Sequence, residues 1–495
     1  MWRRRNLLPS TACLLAAAVL STSSCGSDAG QSAGDGTATA QVLGDSTLRE
    51  LSVVRLGDLD SMRARRYIRM LVVPSRTQYF LDGGTPRGLA VDAAALFEKS
   101  LNKTFRTGKE PIHVFLLPVR HDELLPALLD GRADLAAAGL TITPGRQAAA
   151  DFSAPTLSDV SEIVVTGPAS PRMDSIEDLA GKEVFVRRSS AYYESLQTLN
   201  ARFNQRGLSP VRLRLAPEAL EDEDLLEMLN AGLVPIVVMN DFVAEFWQQV
   251  LPDITPRPGL AVNEEADIAW MFRKNSPQLK AEINRFLAEY PARSATRNIL
   301  LQRYWKSTKY VAGASSETEM RKFREVVDLF KKYGAQYNLD HLLIMAQGYQ
   351  ESRLDQGARS RVGAVGIMQV MPATGRSLGV GDIHEVEPNI HAGVKYVRTI
   401  IDAHFADDSV DAVNRTLFAL ASYNAGPARV AGLRRRAAAR GLNPNVWLGN
   451  VEQVAAQEIG RETVTYVSNI YKYYIAYTLV MEQEAERAAA LNDHR

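Results

Sequence analysis

The chain has 495 residues, 46% of them hydrophobic and 23% charged, an ordinary globular composition over a length that suits about three domain-sized units. Its 57 basic residues balance its 57 acidic ones, so no overall field favours nucleic acid or an anionic membrane. With only two cysteines, a disulfide framework and a zinc-type cysteine cluster are both excluded.

Both cysteines fall within the first 25 residues, in "MWRRRNLLPSTACLLAAAVLSTSSC". Arg3, Arg4 and Arg5 precede an apolar run over Leu14–Leu20, and small residues lead to Cys25. This is the layout of a bacterial export signal, and its apolar run is too short to span a bilayer. Cys25 after small residues resembles a lipoprotein cleavage site, although Thr22 stands where that pattern usually has Leu. Ordinary cleavage nearby is the other reading. Residues 1–25 are therefore expected to be a signal peptide and 26–60 a flexible Gly/Ser/Ala-rich tether. Gly26, rather than Asp, favours the outer membrane over the inner one for a lipoprotein facing the periplasm. A mature chain without cysteine suits an oxidising compartment and removes thiol catalysis.

Residues 61–306 alternate apolar strands with amphipathic helices. "IRMLVVPS", "IHVFLLPV", "ADLAAAGL", "KEVFVRRS" and "VPIVVMND" read as strands; "GLAVDAAALFEKSLNK" and "DELLPALLDG" read as helices. The alternation predicts an α/β domain with parallel sheets, in which ligands bind beyond the carboxyl ends of strands. A small, polar stretch at 307–318 predicts a linker. From 319 to 490 strand signals vanish, and helical spacing of apolar residues predicts an all-α domain.

Four segments of the helical part set polar groups beside small or apolar residues: "YQESRLD" at 349–355, "GAVGIMQVMPAT" at 363–374, "ALASYNAGP" at 419–427 and "RETVTYV" at 461–467. Glu351 follows the apolar run "LDHLLIMA" and is a candidate for partial burial. Burial raises a carboxyl pKa, and an acid still protonated near neutral pH can protonate a leaving-group oxygen. Glycosidic cleavage needs that step first. Taken alone, Glu351 reads more readily as a surface carboxylate paired with Arg353; the four segments together reverse the reading.

Those segments resemble the catalytic domain of the soluble lytic transglycosylases, which has a goose-type lysozyme-like fold. The resemblance rests on the Glu-Ser pair (Glu351, Ser352), Gly-x-Met-Gln (Gly366, Met368, Gln369), Tyr-Asn-Ala-Gly (Tyr423 to Gly426) and Glu-Thr-x-x-Tyr-Val (Glu462, Thr463, Tyr466, Val467). It implies cleavage of peptidoglycan between N-acetylmuramic acid and N-acetylglucosamine, with 1,6-anhydromuramyl ends and Glu351 as both acid and base. It also implies that Tyr466 bonds Glu351 or the sugar acetamido group. Ser352 and Gln369 would position sugar groups, and Tyr423 and Asn424 would line the cleft. Met368 and Tyr423 read equally well as core packing. Ser422 stands where the family often has Ala.

A second resemblance lies in "GRADLAAAGLTITPGRQAAADFSAP" at 131–155, "VMNDF" at 238–242 and "DIAWMFRKNSPQLKAEINRFL" at 267–287. These are similar to the family 3 periplasmic solute-binding proteins, which bind amino acids between two lobes. The resemblance implies that Arg146 and Thr141 take an α-carboxylate, Asp241 takes an α-amine, and Tyr79 or Phe80 stacks on the ligand. Arg187 and Ser190 would sit on the second lobe's contact loop, which here reads Arg-Arg-Ser-Ser-Ala where the family usually has Gly. A vestigial lobe pair acting as a spacer is the competing reading. The whole is thus expected to be multi-domain, a two-lobe periplasmic-binding-protein-like α/β domain followed by a lysozyme-like transglycosylase domain. No cofactor, metal or nucleic acid is expected. Expected partners are glycan strands, an amino acid or muropeptide between the lobes, and the membrane through a lipid on Cys25. A solute receptor that only grips peptidoglycan, or a muramidase on the same fold, are the alternatives.

Overall fold

The computed structural model describes Leu51 and residues 53–492, apart from Gly83, residues 292–293 and 309–316, and Asp408. The expected signal peptide, Cys25 and most of the tether and linker lie outside the described residues. Among those described, no helix is long and apolar enough to cross a membrane.

The first lobe opens with α1 (Leu59–Arg65), β1 (Tyr67–Val72), β2 (Phe80–Asp82), β3 (Thr85–Arg87) and α2 (Leu89–Thr104). It continues through β4 (His113–Pro118), α3 (His121–Leu129), β5 (Leu135–Thr141), α4 (Pro144–Ala149) and β6 (Ala150–Phe152). β7 (Leu157–Thr166) leads into the second lobe, which holds β8 (Glu183–Arg187), α5 (Ala191–Gln205), β9 (Arg212–Ala216), α6 (Asp222–Asn230), β10 (Ile236–Asn240) and α7 (Asp241–Gln248). The 19-residue β11 (Thr255–Arg273) returns to the first lobe, followed by α8 (Pro277–Glu289), α9 (Ala295–Leu301) and a π-helical turn over Gln302–Lys306.

The main sheet runs β10-β7-β11-β5-β1-β4, with β6 also paired to β11. Its centre is parallel, β1 lying between β4 and β5. Every residue of β1 is buried, as expected of a strand covered on both faces. Within this sheet the parallel expectation holds only there; β8 and β9 form a separate parallel pair in the second lobe. β11 runs antiparallel to β5, β6 and β7, and β10 antiparallel to β7. The reason is topological: β7 leaves the first lobe and β11 comes back beside it. Long strands shared in this way join two lobes with separate cores, one around Phe97 and Trp270 and the other around Phe203 and Trp247.

The rest is helical: α10 (Glu317–Tyr337), α11 (His341–Ser352), α12 (Pro372–Leu378), α13 (Val386–His404), α14 (Ala412–Ala425), α15 (Pro427–Ala439), α16 (Glu452–Glu458) and α17 (Arg461–Asn492). α11 is the central element, with an unbroken buried run from Leu342 to Tyr349. Asp340 caps it, accepting from the backbone N–H groups of Leu342 (2.9 Å) and Leu343 (3.3 Å). At its other end Arg353 adopts a left-handed φ of 62°, and its guanidinium lies 4.6 Å from the centre of the Tyr349 ring. The helix therefore stops at Ser352, and Glu351 occupies its last turn.

Candidate functional site

Gln347 and Glu351 are four residues apart on α11, hence on one face. Tyr466, from the first turns of α17, meets that face. Its hydroxyl donates to Glu351 Oε1 at 2.5 Å and accepts from Gln347 Nε2 at 3.4 Å. Glu351 is half-buried, and burial raises its carboxyl pKa above the ordinary value, with the Tyr466 hydrogen bond opposing. The carbonyl end of the helix, where the dipole is negative, is likewise unfavourable to an anion. Among the described residues no second carboxylate acts on Glu351. Such a group holds its proton more tightly than an ordinary carboxyl, and can release it to a nearby oxygen and take one back.

The loop between α11 and α12 wraps around this end. Ser352 Oγ donates to the carbonyls of Ile367 (2.8 Å) and Gly348 (3.2 Å), so it ties the loop to the helix. Gln369 Nε2 donates to the carbonyls of Gly366 (2.8 Å) and Ala358 (3.3 Å), and the residue itself has a φ of 47°. Met368 is fully buried against α11 and α13, and its carbonyl accepts from the Tyr423 hydroxyl at 2.8 Å. Its side chain is therefore core in this structure. Burial raises the Tyr423 hydroxyl pKa, and the charge of Glu351 adds to the rise. Asn424 is exposed, and its Oδ1 accepts from Thr463 Oγ1 at 2.6 Å.

Two residues of this machinery escaped the sequence reading. Gln347 is fully buried, and its Oε1 has no partner among the described residues. Asn389 is fully buried on α13, where its Oδ1 accepts from Met368 N at 2.8 Å and its Nδ2 donates to the carbonyls of Val365 (2.8 Å) and Ile383 (2.9 Å). The available signals were the i−4 spacing from Glu351 and an amide inside the apolar face of a helix.

A second polar site, of about 80 Å³, lies between the lobes. Thr141, Arg146, Arg187 and Ser190 line it together with His121, Glu221, Asp222 and Glu223. Arg146 spans the lobes, donating to Thr141 O and Ser189 O at 2.9 Å each. Arg187 is sequestered at 1% exposure, bonded to Glu221 at 2.9 Å and to Asp222. Burial pushes the Glu221 carboxyl up to about 8 despite Arg187. Ser190 caps α5 and donates to Arg187 O at 2.7 Å. Two further ties draw the lobes together, Thr143 to Glu194 at 3.0 Å and Arg76 to Glu227 at 2.8 Å.

Two expected ligand contacts are corrected. Tyr79 is 1% exposed within the first lobe's core, and its neighbour Gln78 lines the site instead. Gln78 lies in the turn that the Ser75–Tyr79 bridge closes, whereas Tyr79 is back beside the strands with its ring in the core. Asp241 opens α7, and its carboxylate accepts from Phe242 N at 2.7 Å and Ser161 N at 3.3 Å. Asn240, one residue earlier, is the one that lines the site.

The chain matches the Transglycosylase SLT domain over residues 328–445 and the Bacterial extracellular solute-binding proteins, family 3, over residues 69–306. It is 30% identical over 434 residues to the membrane-bound lytic murein transglycosylase F of Desulfosudis oleivorans, covering 83% of this chain and 90% of that one. To the protein of the same name from Stutzerimonas stutzeri it is 27% identical over 450 residues, covering 87% and 88%. Among solved structures, an ancestral arginine-binding protein bound to arginine aligns with 49% of this chain and 99% of its own, at 23% identity and a TM-score of 0.40. With both domain families present in order, and with a relative matched over nearly its full length, the chain belongs to the membrane-bound lytic murein transglycosylase F family.

Proposed function

We propose that the protein cleaves the β-1,4 bond between N-acetylmuramic acid and N-acetylglucosamine and leaves 1,6-anhydromuramyl ends, with Glu351 as the single acid and base. Membership of its family makes it a lytic transglycosylase of murein. The finer reading follows from the chemistry of one carboxyl group. Protonated Glu351 gives its proton to the bridging oxygen, and the C1–O bond breaks. The muramyl acetamido oxygen stabilises the cation at C1. Ionised Glu351 then takes the proton of the sugar's own 6-hydroxyl, whose oxygen bonds C1. No water is consumed, and the carboxyl ends as it began.

The observation that carries this reading is the Tyr466 hydroxyl donating to Glu351 Oε1 at 2.5 Å, on a half-buried carboxyl that no second carboxylate among the described residues influences. A two-carboxylate hydrolase would need such a partner. The Tyr466 bond also steadies the anion formed in the first step, so the group can serve both halves of the reaction. Tyr423 and Asn424 are the side chains we assign to the sugar. We assign Ser352 and Gln369 to shaping the loop beside it.

The lobes are proposed to bind an amino acid or muropeptide through Arg146, Thr141 and Asn240, and so to bias catalysis. Such a ligand must bind the active and inactive states unequally. Cys25 is proposed to be lipidated and to hold the protein at the periplasmic face of the outer membrane.

Mass spectrometry of purified peptidoglycan digested by the mature protein and by Glu351→Gln tests the reaction. Anhydromuramyl products from the native protein alone are expected. Reducing-end products would replace the reading with hydrolysis. Absence of products from both would leave a receptor.

A further inference from the structure

A second and larger cavity, of about 500 Å³, opens beside the polar site between the lobes. Its wall is built mostly of apolar side chains. Ala93 and Leu96 come from α2, Phe246 from α7, Trp270 from β11, and Leu300 and Leu301 from α9. Trp305 closes it, packing edge-on to Phe242 at 4.9 Å and to Phe246 at 5.6 Å between ring centres. The cavity shares Gln78, Gly139, Phe242 and Trp305 with the polar site, so the two are neighbours.

The charges in this lining are few and unbalanced. Arg297 and Lys306 are cationic, and Glu245 is the one acidic side chain. Arg297 is partly buried, and burial alone lowers its pKa; no carboxylate among the described residues acts on it. The other arginines near this end of the lobe are different. Arg303 pairs with Asp92 at 2.8 Å, and Arg285 pairs with Glu282 at 2.6 Å. A half-desolvated guanidinium without an anion, at the edge of an apolar chamber, is incomplete unless the ligand supplies the anion.

We propose that this chamber is a binding site for an anionic amphiphile, a single aliphatic chain in the cavity with its carboxylate or phosphate head at Arg297. The volume suits such a chain, since ligand sites for small molecules run from about 300 to 1,000 Å³. The shape of the wall suits it too, because aliphatic and aromatic faces surround the volume on several elements. An amino acid, whose polar ends need partners at both sides, fits the neighbouring site and not this one. The occupant would touch both lobes at once. Trp305 packs on the second lobe, while Arg303 and Tyr304 beside it hold Asp92 of the first, at 2.8 and 3.0 Å.

The test uses the full mature chain and the fluorescent fatty acid cis-parinaric acid, with displacement by oleate, by oleoyl-lysophosphatidylglycerol and by oleyl alcohol. Saturable parinarate binding is expected. Oleate or the lysolipid should displace it roughly tenfold better than the alcohol, the size expected of one charge-assisted hydrogen bond. Whichever of the two anions displaces better identifies the source, a free fatty acid or a lipid. Arg297→Met should weaken oleate by about the same factor and leave the alcohol unchanged. Ala93→Trp should fill the chamber and remove binding. Should that variant fail to fold, as read by circular dichroism, Leu300→Trp fills it from the opposing helix. Parinarate bound equally by a folded cavity-filled variant, or oleyl alcohol competing as well as oleate, would overturn the proposal, as would the absence of saturable binding.

Discussion

Glu351 combines an ionisable group with a place that resists ionisation. It lies in the last turn of a helix that is buried without a break from Leu342 to Tyr349, and burial raises its pKa. A carboxyl raised above its unfolded value contributes stability in full below that unfolded value. The contribution fades as pH rises through the folded pKa. At alkaline pH the native protein therefore carries an anion that its surroundings disfavour. Glutamine keeps the shape and an oxygen for Tyr466 to donate to, without the charge. Glu351→Gln is thus expected to abolish turnover and to raise the thermal midpoint at pH 8. That gain should shrink towards about pH 4, where both side chains are neutral. Calorimetry of the two proteins at both pH values checks it, and a difference independent of pH would mean that ionisation of Glu351 costs the fold nothing. Gln347 belongs to the same unit, because its Nε2 gives Tyr466 a donor and so aims the phenol proton at Glu351.

The loop from α11 to α12 is held by an element outside it. Asn389 on α13 satisfies three of its surrounding backbone groups, and Gly366 makes room for it. At Gly366 φ is +76°, and an added Cβ would meet Asn389 Nδ2 at 2.5 Å. Asn389→Ala leaves Met368 N without its acceptor in a buried place, while the carbonyls of Val365 and Ile383 keep Val370 N and Gln356 Nε2 at 3.0 Å each. A loss of about 1–3 kcal/mol in the urea unfolding of the protein is expected, the cost of one unsatisfied buried donor. The loop carries Gln369 and the Met368 carbonyl that holds Tyr423, so kcat should fall with it. A stable variant with full activity would show that the loop holds itself. This is also where the sequence was hard to read. α11 and the central strands were legible because each is a compact apolar block bounded by polar residues. β11 was not, because its first part, "TPRPGLAVNEEAD", carries two prolines and three carboxylates and reads as loop. Glu351 and Tyr466 were legible through ordered motifs. Asn389 and Gln347 were not, since an amide reveals its role only through its partners. Tyr79 and Asp241 failed for a related reason: position at a strand end fixes the loop, not the direction of the side chain.

On the scale of the whole molecule, the catalytic domain docks on the first lobe, which the polar linker gave no reason to expect. Phe115 of β4 packs edge-on against Tyr471 of α17 at 5.7 Å, and the Tyr349 hydroxyl donates to Thr85 Oγ1 at 2.6 Å. At the edge of this contact His113 of β4 lies buried between two carboxylates. Its Nε2 is 3.2 Å from Glu452 of α16, and its Nδ1 is 3.9 Å from Glu98 of α2. Lys472 of α17 bonds Glu98 at 2.6 Å, and Arg66 and Glu110 pair nearby at 2.8 Å. Burial pushes His113 down, as does Lys472, but Glu452 and Glu98 outweigh them, so its pKa stands above the ordinary histidine value. Glu98, opposed by burial but held by Lys472 and His113, drops to about 2, and Glu452 is lowered by His113. The signs then define a window. The histidine contribution is complete below about pH 6.5 and disappears as pH rises through its raised value; that of the carboxylates is complete above about pH 4.5 and disappears only in strong acid. Docking should be firmest between those limits and loosen towards pH 8. In His113→Gln the loosening between pH 6 and 8 should vanish, with a lower thermal midpoint at pH 6 and little change at pH 8. Hydrogen exchange of β4 and α16 at the two pH values reads the contact directly. Equal protection at both in the native protein would show that the two domains stay docked without the imidazolium.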